Sequence, residues 1–400
     1  MLHLRRKRAT FLWATACGCL AIALAAALLI TTSPSRGSVA ARNGNTPVSS
    51  PQPGAGVRPG TQFTPITAST LTVPEPVKGS DGRIHLAYEL LLTNVTALPV
   101  RISQVQVLDA STHRALLDLT GTALSAEFTP VGAPSGDEGT DDPASSSRST
   151  TMPSSATWVV WLDVSLPGQS KVLRLEHRVA GAIIRPGGAS PVLFDDVIGP
   201  VDTSGYHATV LSPPVKGGIW YMSEGCCSDN THHRRGLAPV NGQLSVPQRF
   251  AIDFFMLDDR MRAWSGAPST ITSYFSYRQP VIAAAPGTVV DSEDGLPNNT
   301  ALPNPPPIPP IGQTVGNHVT VQIGPGLFVL YAHLDPGSVK VHIGEKVARG
   351  QLLGRVPDRI WDDNLGLQPT GTLPFVPAKP AGLHRDELPL DRDVVRFSRP

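Results

Sequence analysis

The chain has 400 residues, a length that predicts two folded domains with additional segments. Its 33 basic and 32 acidic residues give a formal net charge of +1, so no basic field argues for a nucleic-acid partner. Proline occurs 40 times, about twice its average usage, which favours extended linkers and interrupted strands over helical packing. Long amphipathic helical repeats are not evident, and the chain is therefore predicted to be mainly β.

A basic cluster and a long apolar run open the chain. The cluster occupies residues 4–8 and the run occupies residues 11–30, about the length that spans a bilayer. This order predicts a secretory signal peptide or an uncleaved signal anchor within residues 1–35. Either one places the remainder outside the cytoplasm, and the anchor would also hold it on the membrane. Residues 36–69 are rich in Pro, Ser and Gly and are predicted to be an extended linker.

Residues 70–190 are predicted to form a β-sandwich of immunoglobulin type. Short runs of strand-forming residues recur at 84–94, 100–108 and 157–166, and several short strands at such spacing are typical of this architecture. An acidic, serine-rich stretch at 135–155 is predicted to be a loop that projects from the sandwich. No catalytic pattern occurs in this domain, so its predicted role is spacing or adhesion.

Paired cysteines and paired histidines follow the sandwich. Cys226 and Cys227 are adjacent, and three states are open for them: a vicinal disulfide, two free thiols, or bonds to other chains. His232 and His233 come a few residues later. They are either solvated side chains of a surface loop, the simpler interpretation, or metal ligands. On an extended strand only one of the two would face a shared site.

Residues 191–356 contain glycine-punctuated short strands and are predicted to form a compact antiparallel β unit. Strand-like runs lie at 282–290 and 316–321. Between them, residues 296–311 include a run of prolines that favours polyproline II and cannot pair as a central strand. This insertion is predicted to be a surface excursion, with a substrate-lining loop as the alternative.

Three short motifs follow these strands in a specific order. Tyr-Ala-His-Leu at 331–334 precedes Gly-Glu-Lys-Val at 344–347 and Gly-Gln-Leu-Leu-Gly at 350–354. Together with the strands they resemble the β-sheet core of the lysostaphin-type (LytM) zinc endopeptidases, which cut peptide cross-links in bacterial cell walls. The resemblance implies a lysostaphin-type antiparallel β-sheet domain, zinc as the cofactor, and peptidoglycan or a cell-wall peptide as the binding partner.

The resemblance also implies roles for individual residues. In the family a His-x-x-x-Asp motif gives two zinc ligands and the second histidine of a later His-x-His gives the third. Here Arg249 stands at the first position and Asp253 at the second, and a guanidinium cannot coordinate a cation. His333 corresponds to the catalytic histidine outside the zinc shell. No histidine occurs between His342 and His384, so the strand with the third ligand is predicted to be lost or replaced.

Other histidines are candidates for the missing ligands. These candidate surrogate ligands are His232, His233 and His384. Arg249 and Asp253 are four residues apart, a spacing that on a strand directs both side chains to one face. Arg249 is therefore expected to line the groove and to form an ion pair with Asp253 where zinc would otherwise bind. Asp253 and His333 are expected on neighbouring strands that face this groove.

An incomplete zinc site predicts a protein that binds cell-wall peptides or an envelope protein partner without cutting them. The alternative is an active zinc metalloendopeptidase that hydrolyses peptidoglycan cross-links with a surrogate ligand. The two hypotheses differ in whether the chain is an enzyme, and stoichiometric bound zinc would favour the second. Residues 357–400 are predicted to be a divergent C-terminal tail.

Overall fold

The structure is a computed structural model, and part of the chain is described in it. The described residues are 62–132, 149–172, 174–203, 208–227, 232–267, 270–297, 315–356 and 383–397. The apolar run at 11–30 and most of the predicted linker lie outside them. In the described ranges no helix is long and apolar enough to cross a membrane. These ranges consist largely of antiparallel strands, so the prediction of a mainly β chain is confirmed.

Two five-stranded antiparallel sheets occupy the first part of the described chain. Their elements are β1 (Ile66–Thr70), β2 (Pro76–Lys78), β3 (Arg83–Asn94), β4 (Val100–Asp109), β5 (Ala115–Thr120), α1 (Gly121–Ala126), β6 (Phe128–Pro130), β7 (Thr151–Met152), β8 (Thr157–Pro167), β9 (Arg174–Ile183) and β10 (Val192–Asp202). One sheet has the order β1-β3-β8-β6, with β2 also paired to β3. The other has the order β10-β9-β4-β5, with β7 paired to β4.

The two sheets enclose one hydrophobic core and form a β-sandwich. Tyr88 and Leu90 of β3 and Val160 of β8 contribute from the first sheet, and Val105 and Val179 contribute from the second. Side chains alternate along each strand, so these inward positions are two residues apart. All five are fully buried. The immunoglobulin type of this sandwich stays a prediction.

The outer face of β3 and β8 is buried as well. Ala87 of β3 packs against Cys226 and Cys227, and Trp161 of β8 packs in a cluster with Val246. The residues that cover this face therefore come from the C-terminal region. Strands that are covered on both faces carry apolar residues at consecutive positions, which explains the near-continuous apolar sequence of β3 and β8.

The C-terminal region contains shorter antiparallel sheets. Its elements are β11 (Ile219–Ser223), α2 (His232–Arg235), β12 (Ala238–Val240), β13 (Gln243–Ser245), β14 (Asp253–Leu257), a 3-10 turn (Ile271–Ser273), β15 (Pro280–Ile282), β16 (Gly287–Glu293), β17 (His318–Gly324), β18 (Leu327–Tyr331), β19 (Lys346–Val347), β20 (Leu352–Arg355) and β21 (Val394–Arg396). A three-stranded sheet has the order β14-β11-β21, and a four-stranded sheet has the order β18-β17-β16-β19. The remaining strands form the pairs β12-β13 and β15-β20.

The end of the chain adds a strand to the three-stranded sheet. Val394 of β21 pairs with Tyr221 of β11 in antiparallel register. The hydroxyl of Ser80, in the turn between β2 and β3, donates a hydrogen bond to the carboxylate of Asp393. The described end of the predicted tail, residues 383–397, is thus folded against both β11 and the sandwich.

Candidate functional site

His333 lies in a turn directly after β18, and the residues on both sides of it are fixed. The buried Tyr331 accepts a hydrogen bond at its hydroxyl from the Ala284 N–H at 2.7 Å. The buried Leu334 donates its N–H to the Asn317 carbonyl at 2.7 Å. Burial raises the pKa of Tyr331, although the hydrogen bond from Ala284 acts in the opposite direction. His333 itself is exposed, so these anchors hold its imidazole at the surface.

The backbone around His333 requires a glycine in the adjoining segment. His333 has a φ of 55°, and Gly316 across from it has a φ of 59°. A Cβ on Gly316 would lie 3.3 Å from Nδ1 of His333. A side chain at this position would therefore be strained itself and would also press on the imidazole.

Asp253 and His233 are two predicted ligands that the structure brings together. Asp253 begins β14 and is paired with Ser223 of β11. His233 lies on α2 and is 4% exposed, with Nδ1 3.1 Å from the Glu224 carbonyl and Nε2 3.8 Å from Oδ1 of Asp253. A backbone carbonyl at one ring nitrogen leaves the other directed at the carboxylate, an orientation that metal-binding histidines share. The interpretation of His233 as a solvated loop residue is wrong, because α2 buries it.

The partner of Arg249 is Glu89 of the sandwich. Nε of Arg249 lies 3.0 Å from Oε1 of Glu89, and Nη2 contacts Oε2. Arg234 donates to the same Oε1 at 2.7 Å, and Glu89 has no exposed surface. The expected ion pair between Arg249 and Asp253 is wrong. Arg249 lies in a turn before β14, so the alternation of side chains on a strand does not apply to it.

Two arginines of α2 extend the cluster of charges around Glu89 along the outer face of the sandwich. The guanidinium carbons of Arg234 and Arg235 lie 5.3 Å and 5.4 Å from the ring centre of Trp161. Arg235 also pairs with Glu127 at 2.7 Å. Burial lowers the pKa of Arg234 and raises that of Glu127, and in each case the neighbouring opposite charge acts against the shift. The cluster ties α2 to the outer face of the sandwich.

Asp253 and His333 are not on neighbouring strands. Asp253 belongs to the sheet β14-β11-β21, whereas His333 follows β18, the edge strand of the four-stranded sheet. The expectation of adjacent strands is therefore wrong, because the two motifs belong to different sheets.

The remaining candidate surrogates are not joined to Asp253 by any described contact. The side chain of His232 lies outside the described part of the structure. Nδ1 of His384 contacts Glu387, which also binds Lys78 of β2 at 2.7 Å. His384 therefore lies beside the sandwich.

The sequence around His333 matches a known protein family. Residues 270–367 match the model of Peptidase family M23. The resemblance to the lysostaphin-type peptidases is confirmed over this quarter of the chain, which is peptidase-like. The matched residues include His333 and begin after Arg249 and Asp253. No curated protein and no solved structure matches the chain.

The described side chains at the predicted zinc position, Arg249, Asp253 and His233, fall short of the donor set of a catalytic zinc site. Such a site needs about three protein donors that converge within ~2.0–2.3 Å of the ion. Asp253 and His233 offer two donors, and Arg249 offers none. Within the described ranges, one group of three or more His, Cys, Asp or Glu side chains could surround an ion, and it includes neither Asp253 nor His233. Its members are His85, Asp163 and Cys227.

Sequence reasoning missed the importance of Glu89. A single carboxylate inside the apolar strand β3 was the available signal, because a buried charge requires a partner. The partners, Arg234 and Arg249, lie more than a hundred residues away, and no local pattern identifies them. The state of Cys226 and Cys227, open from the sequence, is a vicinal disulfide in the structure.

Proposed function

We propose that this chain is an extracytoplasmic, peptidase-like protein that binds cell-wall peptides without cutting them. One observation carries the proposal. Arg249, at the position of the first zinc ligand, is bound through two nitrogens to the buried carboxylate of Glu89. An arginine held in this way neither coordinates a metal nor leaves room for one at its own position.

The missing ligands affect hydrolysis far more than binding. Hydrolysis by the family's chemistry needs a metal that lowers the pKa of its bound water from ~9 toward ~7. Binding of an extended peptide needs only surface groups and exposed backbone beside a sheet. We expect His333 to contribute to this binding, because it is exposed in the turn after β18 and an imidazole can hydrogen-bond to a peptide.

Co-sedimentation with purified, insoluble bacterial peptidoglycan tests the binding. The unmodified chain is expected to sediment with the polymer, and His333→Ala is expected to weaken this association several-fold. His342→Ala is the matched control, because His342 is a histidine of the same region whose side chain is 84% exposed. Equal sedimentation of both variants and the unmodified chain would show that His333 does not contribute to binding. Failure of the unmodified chain to sediment with the polymer would contradict the proposal.

The contact between His233 and Asp253 favours a second candidate function. Nε2 of His233 and Oδ1 of Asp253 are 3.8 Å apart, a separation that small side-chain movements can convert into joint coordination of an ion. The chain would then be an active zinc metalloendopeptidase with His233 as a surrogate ligand. Zinc-dependent hydrolysis that is lost in both His233→Ala and Asp253→Ala would support this candidate, and retention in either variant would exclude it.

A further inference from the structure

A group of side chains of the types that bind metals lies on the outer face of β3 and β8 and does not include Asp253. A ring nitrogen of His85, a carboxylate oxygen of Asp163 and Sγ of Cys227 lie within 4.8 Å of one another. The three residues come from β3, β8 and the segment after β11. His85 and Cys227 are about 95% buried, so these donors converge in the interior and not on an open surface.

His85 has the orientation of a metal ligand with a supporting carboxylate. Its Nδ1 lies 3.1 Å from both oxygens of Asp163, and its Nε2 lies 3.3 Å from both oxygens of Asp81. Two ligand atoms of a tetrahedral zinc ion are about 3.3 Å apart, as follows from bond lengths of ~2.0 Å. Nδ1 and Asp163 are hydrogen-bonded to each other, at a distance close to that between two ligands of one ion. Asp81 has the position of the outer carboxylate that fixes a ligating imidazole.

A guanidinium and a cavity lie beside Cys227. Arg234 donates from Nε to the Cys227 carbonyl at 3.0 Å, which holds its guanidinium close to this residue. A cavity of about 160 Å³ is lined by Asp163 and Cys227 together with the arginines of α2. This space gives an ion and a coordinated water a route to Asp163 and Cys227.

The disulfide bond prevents Cys227 from acting as a metal ligand. Sγ of Cys227 is joined to Cys226 in the vicinal disulfide, and a disulfide sulfur is not a thiolate ligand. We propose that reduction of Cys226–Cys227 opens a zinc site made of His85, Asp163 and Cys227, with Asp81 as the supporting carboxylate. The site is independent of the peptide-binding function proposed above, because it uses none of the same residues.

The reaction balances with an external dithiol as reductant. The dithiol gives two electrons and two protons, the Cys226–Cys227 bond breaks, both residues become thiols, and the dithiol leaves as its own disulfide. The zinc ion then replaces the proton on Sγ of Cys227 and any proton on Nδ1 of His85, and these protons pass to solvent. Nε2 of His85 keeps its proton for Asp81. A water completes the four-coordinate shell.

Two single variants separate the metal site from the effect of losing the disulfide. Cys226→Ser and Cys227→Ser both remove the cross-link, but only the first leaves a thiol within the group of donors. In titrations with Co²⁺, which reports thiolate ligation through a charge-transfer band in the near ultraviolet, Cys226→Ser is expected to bind one equivalent without any reductant. Cys227→Ser is expected to lack the band. The unmodified chain should show the band only after treatment with a phosphine reductant, and zinc should displace the cobalt.

Two further variants test the supporting carboxylate and the specificity of the site. Asp81→Asn is expected to weaken the binding 10- to 100-fold, as loss of an outer carboxylate usually does. Asp253→Ala is expected to leave the titration unchanged, which distinguishes this site from the predicted zinc position. Circular dichroism verifies that each variant is folded. A folded Cys226→Ser chain that shows no thiolate band would overturn the proposal, and so would an equal band in Cys227→Ser.

Discussion

Arg249, predicted at the position of the first zinc ligand, forms an ion pair with the sandwich instead. Its guanidinium and that of Arg234 together neutralise Glu89, whose carboxylate has no exposed surface. A buried carboxylate that loses a partner keeps its desolvation cost without the compensating attraction. The arginine is therefore needed for folding, and its replacement has consequences beyond the metal site.

Arg249→His is expected to lower the free energy of unfolding and to create no hydrolytic activity. Loss of a buried ionic partner costs about 3 kcal/mol, and the third zinc ligand is still missing. Urea unfolding and a peptidoglycan-release assay with added zinc measure the two effects. Arg260→His is the control, because Arg260 is exposed and should change the free energy by less than about 0.5 kcal/mol. A stable Arg249→His chain with zinc-dependent activity would contradict both expectations.

His177 makes the stability of the sandwich depend on pH. It is completely buried, with Nδ1 2.7 Å from the Gly199 carbonyl and Nε2 2.8 Å from the Tyr88 hydroxyl. Burial lowers its pKa from 6.5 to about 4. The unfolded chain therefore takes up a proton at His177 below pH ~6.5, while the folded chain does not until about pH 4. The stabilisation present above pH 6.5 is lost as the pH falls through this window, by about 3 kcal/mol.

Urea unfolding from pH 7 to pH 4 tests this linkage. The unmodified chain is expected to lose stability steadily in that range, and His177→Gln should show a shallower dependence because glutamine does not titrate. His113→Gln is the control, since the His113 side chain is 62% exposed. An unchanged pH slope in His177→Gln would show that His177 titrates normally in the folded chain.

At the scale of elements, β21 completes the sheet in which Asp253 lies. Val395 of β21 packs in one cluster with Trp220 and Met222, both of which belong to β11 and are fully buried. Without β21 these residues would be exposed along a free strand edge, which promotes association between chains.

Deletion of residues 383–400 is therefore expected to lower the melting temperature by about 5–10 °C and to cause aggregation. Deletion of residues 398–400 alone leaves β21 intact and should have little effect. Differential scanning fluorimetry and light scattering give the two readouts. Equal melting temperatures for the two truncated chains would show that β21 contributes nothing to this sheet.

Strands that are rich in β-branched and apolar residues could be predicted from the sequence. The runs at 84–94, 100–108 and 157–166 correspond within one residue to β3, β4 and β8, because β-branched and apolar residues dominate them. The run at 282–290 was predicted as one strand, but the structure divides it between β15 and β16 at a segment that contains Pro286. Proline lacks the N–H that a continuous ladder needs.

The candidate site could be predicted only in part, because its contacts join distant segments. The match at 270–367 confirms the motif around His333. The pairing of Arg249 with Glu89 joins residues 160 positions apart, and the approach of His233 to Asp253 depends on how α2 packs. Neither contact follows from the spacing of residues, since tertiary packing determines both.

At the scale of the whole molecule, buried and half-buried ion pairs join the sandwich to the C-terminal region. Glu89 and Glu127 belong to the sandwich, whereas Arg234, Arg235 and Arg249 belong to the C-terminal region. Groups that are buried on both sides of such a boundary become exposed when either side unfolds. The two regions are thus expected to unfold together.

Calorimetry should show one unfolding transition for the unmodified chain and a transition at lower temperature, or two transitions, for Glu89→Gln. The substitution keeps the shape of the side chain but leaves two buried guanidinium groups without their counter-charge. Asp118→Asn is the control, because Asp118 is exposed and bonded only to Gln104 and Gln106 in the described contacts. Two transitions in the unmodified chain would show that the regions are energetically independent.

Release of soluble fragments from labelled peptidoglycan tests the non-cutting function most directly. The purified chain, incubated with the polymer and with zinc, is expected to bind it and to release no more label than a buffer control. This outcome is expected because Arg249 stands at the predicted first ligand position and no histidine occurs between His342 and His384. Zinc-dependent release that is abolished by Asp253→Ala would contradict it and would show that a surrogate ligand completes the metal site.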